Sequence, residues 1–281
     1  MIEVLAPGPF TTVQDGGRAG FAALGVPRSG AFDRAALRLA NRLVGNPPDA
    51  PGLETTFGGL ELLVHDAVTV ALTGAVCPGL DHAVPVTLAA GSRIRLGVPR
   101  TGLRSYLAVR GGIGVDPQLG SASTDTLSGL GPAPLRGGDR VPVGAEPSGA
   151  VAPAPTGSPP FAGVLRVVAG PRADWFDSAA LDVLTSAVWT VRADSNRIGV
   201  RLDGSRLART RTAELASEPT LPGALQVPPD GLPIVLGPDA PVTGGYPVIA
   251  VVRDADLDLA GQLRPGDQVG FRLAAGRCAA R

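Results

Sequence analysis

Gln14, Asp15, Arg18, Ser29 and Asp33 crowd into one short stretch, with glycines at 16, 17, 20, 25 and 30 between them. Two carboxylates, a guanidinium, an amide and a hydroxyl can present several polar groups to one small ligand. Carboxylates move protons or position water, and a guanidinium grips a carboxylate by its fork. The same residues also suit a tight turn with its own salt bridge and helix cap, and local chemistry leaves both readings open. The element that must position them follows directly. Residues 33–44 place Ala36, Leu37, Ala40, Leu43 and Val44 on one stripe at helical spacing. Asp33 is the expected N-cap, and Gly45 and Pro47 stop the helix.

Further candidates lie downstream. Glu54 sits in an apolar run, so it is either an acid–base group with a raised pKa or one half of a buried Glu–Arg pair, Arg18 being a possible partner. Thr73, Ser123 and Thr124 place small hydroxyls at a strand end before a turn. In Thr243-Gly244-Gly245-Tyr246-Pro247, consecutive glycines let backbone N–H groups converge on a carbonyl oxygen, and Tyr246 adds a hydroxyl. A β-hairpin turn capped by Pro247 explains that run equally well. Arg197 can hold a carboxylate bidentately or bind an acidic residue of a partner. Arg209-Thr210-Arg211 reads as a solvated edge.

Other chemistries find no support. The only histidines are His65, read as an exposed turn residue, and His82, read as a hairpin tip; neither has partners at ligand spacing, so no metal site is expected. Gly-x-Ser-x-Gly is absent. All 25 basic residues are arginine, so this chain has no lysine for a Schiff base, a P-loop or covalent biotin. A formal net charge of zero argues against a nucleic-acid surface or a polybasic membrane anchor. No stretch approaches the roughly 18 apolar residues of a spanning helix. Cys77 and Cys278 make no disulfide framework; Cys77 reads as a small buried hydrophobe and Cys278 as part of a frayed tail. A reduced cytoplasmic enzyme subunit is the expectation.

With 39 Gly and 28 Pro, the chain suits many short strands rather than long helices. Strands are expected at Glu61 to Val64, Val68 to Leu72, Arg93 to Leu96, Ser105 to Val109, Leu165 to Val168, Pro233 to Leu236 and Val248 to Val252. Helices are expected from near Asp177 through Leu184 and over Ala255 to Gln262. A Pro/Ala/Gly-rich linker at 144–163 separates an N-terminal lobe, 1–143, from a C-terminal lobe, 164–275. Gly138-Asp139-Arg140-Val141 and Gly266-Asp267-Gln268-Val269 each read as a tight turn feeding a last strand, which hints at duplication.

Several segments carry a resemblance. Thr11 to Arg18 with Gly25 to Asp33, Leu53-Glu54-Thr55-Thr56-Phe57-Gly58-Gly59, Ala71-Leu72-Thr73-Gly74-Ala75 and Arg104 to Gly112 come first. Leu119 to Asp125, Asp194 to Leu202, Gln226-Val227-Pro228-Pro229-Asp230-Gly231 and Thr243 to Pro247 follow in the same order. Together they resemble the family of C-type subunits of the prokaryotic ATP-dependent 5-oxoprolinase, also described as allophanate hydrolase subunit 2-like, KipA-like or biotin-dependent carboxyltransferase-like. The resemblance implies a mostly β chain with a few helices, folded as two cyclophilin-like β-barrel lobes. It implies two partners, the KipI-like B-type and the A-type subunits of 5-oxoprolinase. It also implies a small amide substrate: 5-oxoproline opened to glutamate, with ATP used at the level of the complex. Asp15, Glu54 and Tyr246 are then the catalytic candidates. Gln14, Arg18, Ser29, Asp33, Thr73, Ser123, Thr124, Arg197, Gln226, Thr243, Gly244 and Gly245 are the substrate-binding candidates. Two rivals share the resemblance: a carboxyltransferase acting on urea or a related amide with biotin supplied in trans, and a non-catalytic regulator that binds a KipI-like kinase inhibitor. The chain departs from the family at Val84 to Thr87, where many relatives carry tryptophan, at Val248, where many carry lysine, and at Pro134-Leu135-Arg136, a shortened element.

Overall fold

The computed structural model describes residues 1–151, 163–211 and 213–274. Most of the linker expected at 144–163, and Cys278, lie outside them. The chain divides into two compact units, Met1–Ala19 with Ser29–Ser158, and Gly20–Arg28 with Pro159–Arg281.

In the first unit, strands β1 (Ile2–Pro7) and β2 (Phe10–Gln14) precede helix α1 (Arg34–Leu43). Then come β3 (Gly52–Thr56), β4 (Leu60–Val64), β5 (Val68–Gly74), β6 (Pro85–Leu88), β7 (Arg93–Arg95), β8 (Arg104–Val109) and β9 (Arg140–Val141). They sort into a four-stranded sheet, β7-β4-β1-β9, and a five-stranded sheet, β2-β3-β8-β5-β6. Ile2 and Val4 of β1 and Leu60, Leu62 and Val64 of β4 are buried, as period-two alternation requires. Most of them join Leu53, Leu72, Leu107 and Val109 of the other sheet in one apolar core. Strand β8 is buried at every position because both of its faces are covered. Leu107 and Val109 enter the core, while Tyr106 and Ala108 lie against α1.

Helix α1 begins where the sequence places it. The Asp33 carboxylate accepts from the Ala36 N–H at 2.8 Å, which satisfies one of the orphan donors of the first turn. Its stripe of Ala36, Leu37, Ala40 and Leu43 is buried. The Thr73 hydroxyl donates to the Ala36 carbonyl at 2.7 Å and ties the helix to β5.

The second unit holds β10 (Val164–Ala169), α2 (Ala180–Ser186), β11 (Trp189–Val191), β12 (Gly199–Asp203), β13 (Glu218–Pro219) and β14 (Ala224–Gln226). It continues with β15 (Ile234–Leu236), β16 (Thr243–Gly244), β17 (Val248–Val252), α3 (Asp254–Ala260) and β18 (Gln268–Leu273). Seven of these strands close a barrel in the order β10-β17-β14-β15-β12-β11-β18. Closure comes from parallel pairing of β10 with β18, Val164 facing Gly270 and Val167 facing Leu273. Trp189 is fully buried, and its indole N–H donates to the Leu184 carbonyl at 3.1 Å. Strands β13 and β16 pair separately as a two-stranded ladder. The fold is mostly β, with three α-helices among the described residues.

The two Gly-Asp turns are built alike. Asp139 accepts from the Arg136 N–H at 2.7 Å and Asp267 from the Arg264 N–H at 2.8 Å. The glycines before them take φ +90° and +87°, a left-handed conformation that favours glycine. Each turn feeds a strand, β9 and β18.

Candidate functional site

Strand β2 ends at Gln14, and the Ser121–Asp125 segment lies beside it, the Thr124 N–H donating to the Val13 carbonyl at 2.9 Å. That pairing gathers Gln14, Asp15, Arg18, Ser29, Ser123 and Thr124 in the first unit. Asp15 is the knot. One carboxylate oxygen accepts from the Ser121 hydroxyl at 2.7 Å, the Gly17 N–H at 2.7 Å and the Ser123 hydroxyl. The other accepts from the Ala122 N–H at 2.6 Å. Four donors occupy about the number of lone-pair positions a carboxylate offers. Asp15 therefore holds two loops together, three of the donors falling on one oxygen and one on the other.

Arg18 is only 2% exposed. Its Nη2 donates to the Ser123 carbonyl, while Nε and Nη1 are buried without a hydrogen-bond partner. It enters no ion pair among the described residues. Gln14 is fully buried; its Nε2 donates to the Thr124 carbonyl at 2.9 Å and the Thr12 hydroxyl at 3.0 Å, and its Oε1 has no partner. The Ser29 hydroxyl also donates to the Thr124 carbonyl, at 3.0 Å. Gly131 makes room here: a Cβ at its φ of +81° would lie 2.0 Å from the Ser123 carbonyl oxygen that receives Arg18.

Glu54 belongs to a separate buried network. Its Oε2 accepts from the Tyr106 hydroxyl at 2.8 Å and the Phe32 N–H at 3.0 Å, and its Oε1 lies 3.5 Å from Arg104 Nε. The Glu–Arg pair exists, with Arg104 and not Arg18 as partner. Arg104 also stacks over the Phe32 ring at 4.6 Å. The Tyr106 hydroxyl in turn accepts from the Asp33 N–H at 2.7 Å. Burial, then the Glu54 and Asp33 charges, push the Tyr106 phenol well above its ordinary range, so it stays a neutral donor. Glu54 and Asp33 thereby fix the start of α1. Tyr106→Phe is expected to cost about 1–3 kcal/mol, because the Asp33 N–H loses the hydroxyl it donates to and Glu54 Oε2 loses one of its donors. Urea denaturation measures this, and a loss near zero would mean that the network rearranges freely.

In the second unit the β13–β16 ladder sets Gly244 against Gln226, whose Nε2 would lie 2.5 Å from a Cβ there. Gln226 Nε2 donates to the Tyr246 carbonyl at 3.4 Å. Thr243, Gly245 and Tyr246 are exposed or half-buried. Arg209 departs from the solvated edge expected of it and reaches inward: Nη2 donates to the Val227 carbonyl and Nε is buried without a partner. Burial draws its guanidinium below the ordinary range, opposed by Tyr246 and Asp230. Arg211 does lie outside, paired with Asp174 at 2.8 Å and stacked on Trp175.

Arg197 stands apart. Its Nε and Nη2 bond both oxygens of the buried Asp239 at 2.8 and 2.9 Å, so the edge expected to grip a substrate carboxylate is already filled. Thr73 serves α1, as described. No group of three or more metal-ligating side chains occurs among the described residues. His65 pairs with Glu3 at 2.9 Å and His82 bonds the Gly74 carbonyl at 3.0 Å. Cys77 is buried, its sulfur 3.1 Å from the Ser105 hydroxyl.

Residues 24–273 match the family described as carboxyltransferase domain, subdomain A and B. The chain belongs to this carboxyltransferase-domain family. It is 42% identical to the C subunit of 5-oxoprolinase from Escherichia coli over 280 residues, covering 96% of this chain and 90% of that protein. It is also 35% identical to the urea amidolyase of Lachancea kluyveri over 304 residues, of which it spans 17%. The solved urea amidolyase of K. lactis superposes with a TM-score of 0.89 at 33% identity, over 98% of this chain and 19% of that one. Against the amidolyases the chain therefore spans less than a fifth of their length.

Within this carboxyltransferase-domain fold, four residues go beyond the sequence candidates. Ser121 was legible as the first member of Ser-x-Ser, and Tyr106 and Arg104 as members of one alternating strand. Asp239 carried no local signal; its meaning comes from Arg197, far away in the chain.

Proposed function

We propose that this chain is the C-type component of an ATP-dependent cyclic amide hydrolase that opens 5-oxoproline to glutamate together with KipI-like B-type and A-type partners. The observation that carries this reading is the 42% identity to the C subunit of a 5-oxoprolinase along nearly the whole of both chains. The chemistry asks for three things. A lactam carbonyl is a poor electrophile, so ATP must first activate it, and phosphorylation of its oxygen makes the carbon attackable by water. The developing charge then needs donors already in place, and bulk water must be kept out. Arg18, buried with Nε and Nη1 unpartnered, is the candidate donor of that kind in the first unit. Gly244, Gly245 and the exposed Tyr246 are the candidate donors to a carbonyl oxygen in the second.

In this reading Asp15 and Glu54 position loops and α1, and the water-activating base is supplied by another group of the complex. ATP acts at the level of the complex, which we place in the cytoplasm, and this chain alone does not turn over. The comparisons also support a second reading, a carboxyltransferase step on urea or a related amide, because the urea amidolyases share this fold at about a third identity. The chain has no lysine, so biotin would be carried elsewhere in that assembly.

Co-expression of this chain with its A-type and B-type partners, followed by glutamate formation from 5-oxoproline and ATP, tests the proposal. Turnover that disappears when this chain is omitted is the expected result. A stable complex that makes no glutamate, yet consumes urea when biotin carboxylase and carrier are added, would overturn it in favour of the second reading.

A further inference from the structure

Residues 18–29 form a loop with a closed neck. At the neck the Ala31 N–H donates to the Asp15 carbonyl at 3.0 Å, and the Gly17 N–H to the Asp15 carboxylate at 2.7 Å. Gly17 and Gly30 face each other there, since a Cβ on Gly30 would lie 2.8 Å from the Gly17 nitrogen. Both take a left-handed φ, +80° and +89°, which glycine adopts without strain. Loops whose ends are held close in this way are frequently functional. The tip, Gly20–Arg28, belongs to the second unit and both sides of the neck to the first, so the chain changes body here. A few loop residues able to absorb a change in φ and ψ are what a hinge requires.

Within Gly20–Arg28 only Pro27 is buried, and Leu24 is 75% exposed. The tip closes its own turns, the Leu24 N–H donating to the Phe21 carbonyl and the Gly25 N–H to the Ala22 carbonyl, each at 2.9 Å. It can therefore move as one piece. A segment that buries so little apolar surface opens at low cost. Arg18 supplies the push. It is 2% exposed, with Nε and Nη1 unpartnered. Those two nitrogens point to different sides of the guanidinium, so no single carboxylate meets both, whereas water in an open loop does. The closed loop thus withholds hydration from two donors of a charged group. Against this stand the bonds of Arg18 and Ser29 to the consecutive carbonyls of Ser123 and Thr124. We propose that residues 18–29 are a gate, hinged at Gly17 and Gly30, whose local opening brings the Arg18 guanidinium into solvent, where an anion can reach it. The inference concerns access to Arg18 and holds whichever amide the chain serves, so it stands or falls apart from the functional reading.

Phenylglyoxal, which attacks guanidinium groups that solvent reaches, is the first probe, with the modified sites of the intact chain read by peptide mass spectrometry. Arg104 is the reference. It lies in the same unit and is 4% exposed, but it is paired with Glu54 and stacked on Phe32. Unfolding of the whole unit exposes both arginines alike, so a difference between them reports local opening. Arg18 is expected to react about 10-fold faster or more, the scale of one unmet buried donor. Equal rates, or a slower Arg18, would overturn the proposal. Amide exchange in Arg18→Met is the second probe. Methionine fills the space without the charge, and an apolar side chain in place of a buried ion is often stabilising. The amides of Gly17 and Ala31, which close the neck, should then exchange about 10-fold more slowly than in the parent. Unchanged or faster exchange overturns the proposal. So does a variant that no longer folds, since Arg18 would then be holding the loop shut instead of pressing it open.

Discussion

Asp15→Ala is expected to destabilise the first unit by about 4 kcal/mol or more, a loss in the exceptional range for one substitution. The alanine strands two hydroxyls and two backbone N–H groups that now converge on one carboxylate. Hydrogen bonds to a charged group contribute about 1.5–3 kcal/mol each, and buried donors left unmet add their desolvation cost. Part of this is recovered as the serine hydroxyls turn to each other, since Ser121 already accepts from the Ser123 N–H at 3.0 Å. Asp15→Asn should fall about halfway, because it keeps one acceptor and turns a donor toward the Ala122 N–H. Thermal melting and amide exchange at residues 121–125 measure the effect. Exchange that remains slow there in Asp15→Ala would contradict the assignment of Asp15 as the tie between the two loops. Arg18 and Gln14 should lose their moorings together, because both bond to the carbonyls of that segment.

The second large effect is expected in the barrel. Asp239→Ala should cost about 3–5 kcal/mol, the range for removing one partner of a buried ion pair. The guanidinium of Arg197 is 3% exposed and its bidentate edge would face no carboxylate. The sign of the argument lies in the desolvation. The pair itself adds little over an apolar equivalent, but half of it is worse than none. The double variant Arg197→Met with Asp239→Leu should therefore recover much of what either single change loses. A double-mutant cycle by chemical denaturation measures this coupling. Additive losses would show that the two side chains act independently. Since Asp239 also bonds the Arg197 carbonyl through its backbone N–H, some of the link survives in every variant.

Local patterns made much of the architecture legible. The 33–44 stripe and its Asp33 cap became α1, because helical spacing and a carboxylate placed before the first turn act over a few residues. Val248–Val252 appears as β17 with the same bounds. The two Gly-Asp turns are matched in hydrogen bond and in φ, since a left-handed glycine before an aspartate is a short-range device. Strand edges shifted by a residue or so, as at Arg93–Arg95 and Ile234–Leu236, where pairing partners and not composition end the ladder. The second helix starts at Ala180 and not near Asp177, whose carboxylate instead accepts from the Ala179 N–H at 2.9 Å in the turn before it.

The sequence by itself determined the residue types available for chemistry, the β-rich fold with its few helices, and the family, because these depend on composition, local periodicity and ordered motifs. It also excluded lysine chemistry, which no folding can restore. Only the tertiary structure decided which charge meets which. Glu54 found Arg104 across paired strands instead of Arg18, and Arg197 found Asp239 forty-two residues away. Asp15 was filled by a segment more than a hundred residues downstream. Those matches depend on strand order and register, which bring distant residues within hydrogen-bond reach and leave no trace in local spacing. The same pairing leaves Arg18 and Gln14 buried with polar atoms unmet.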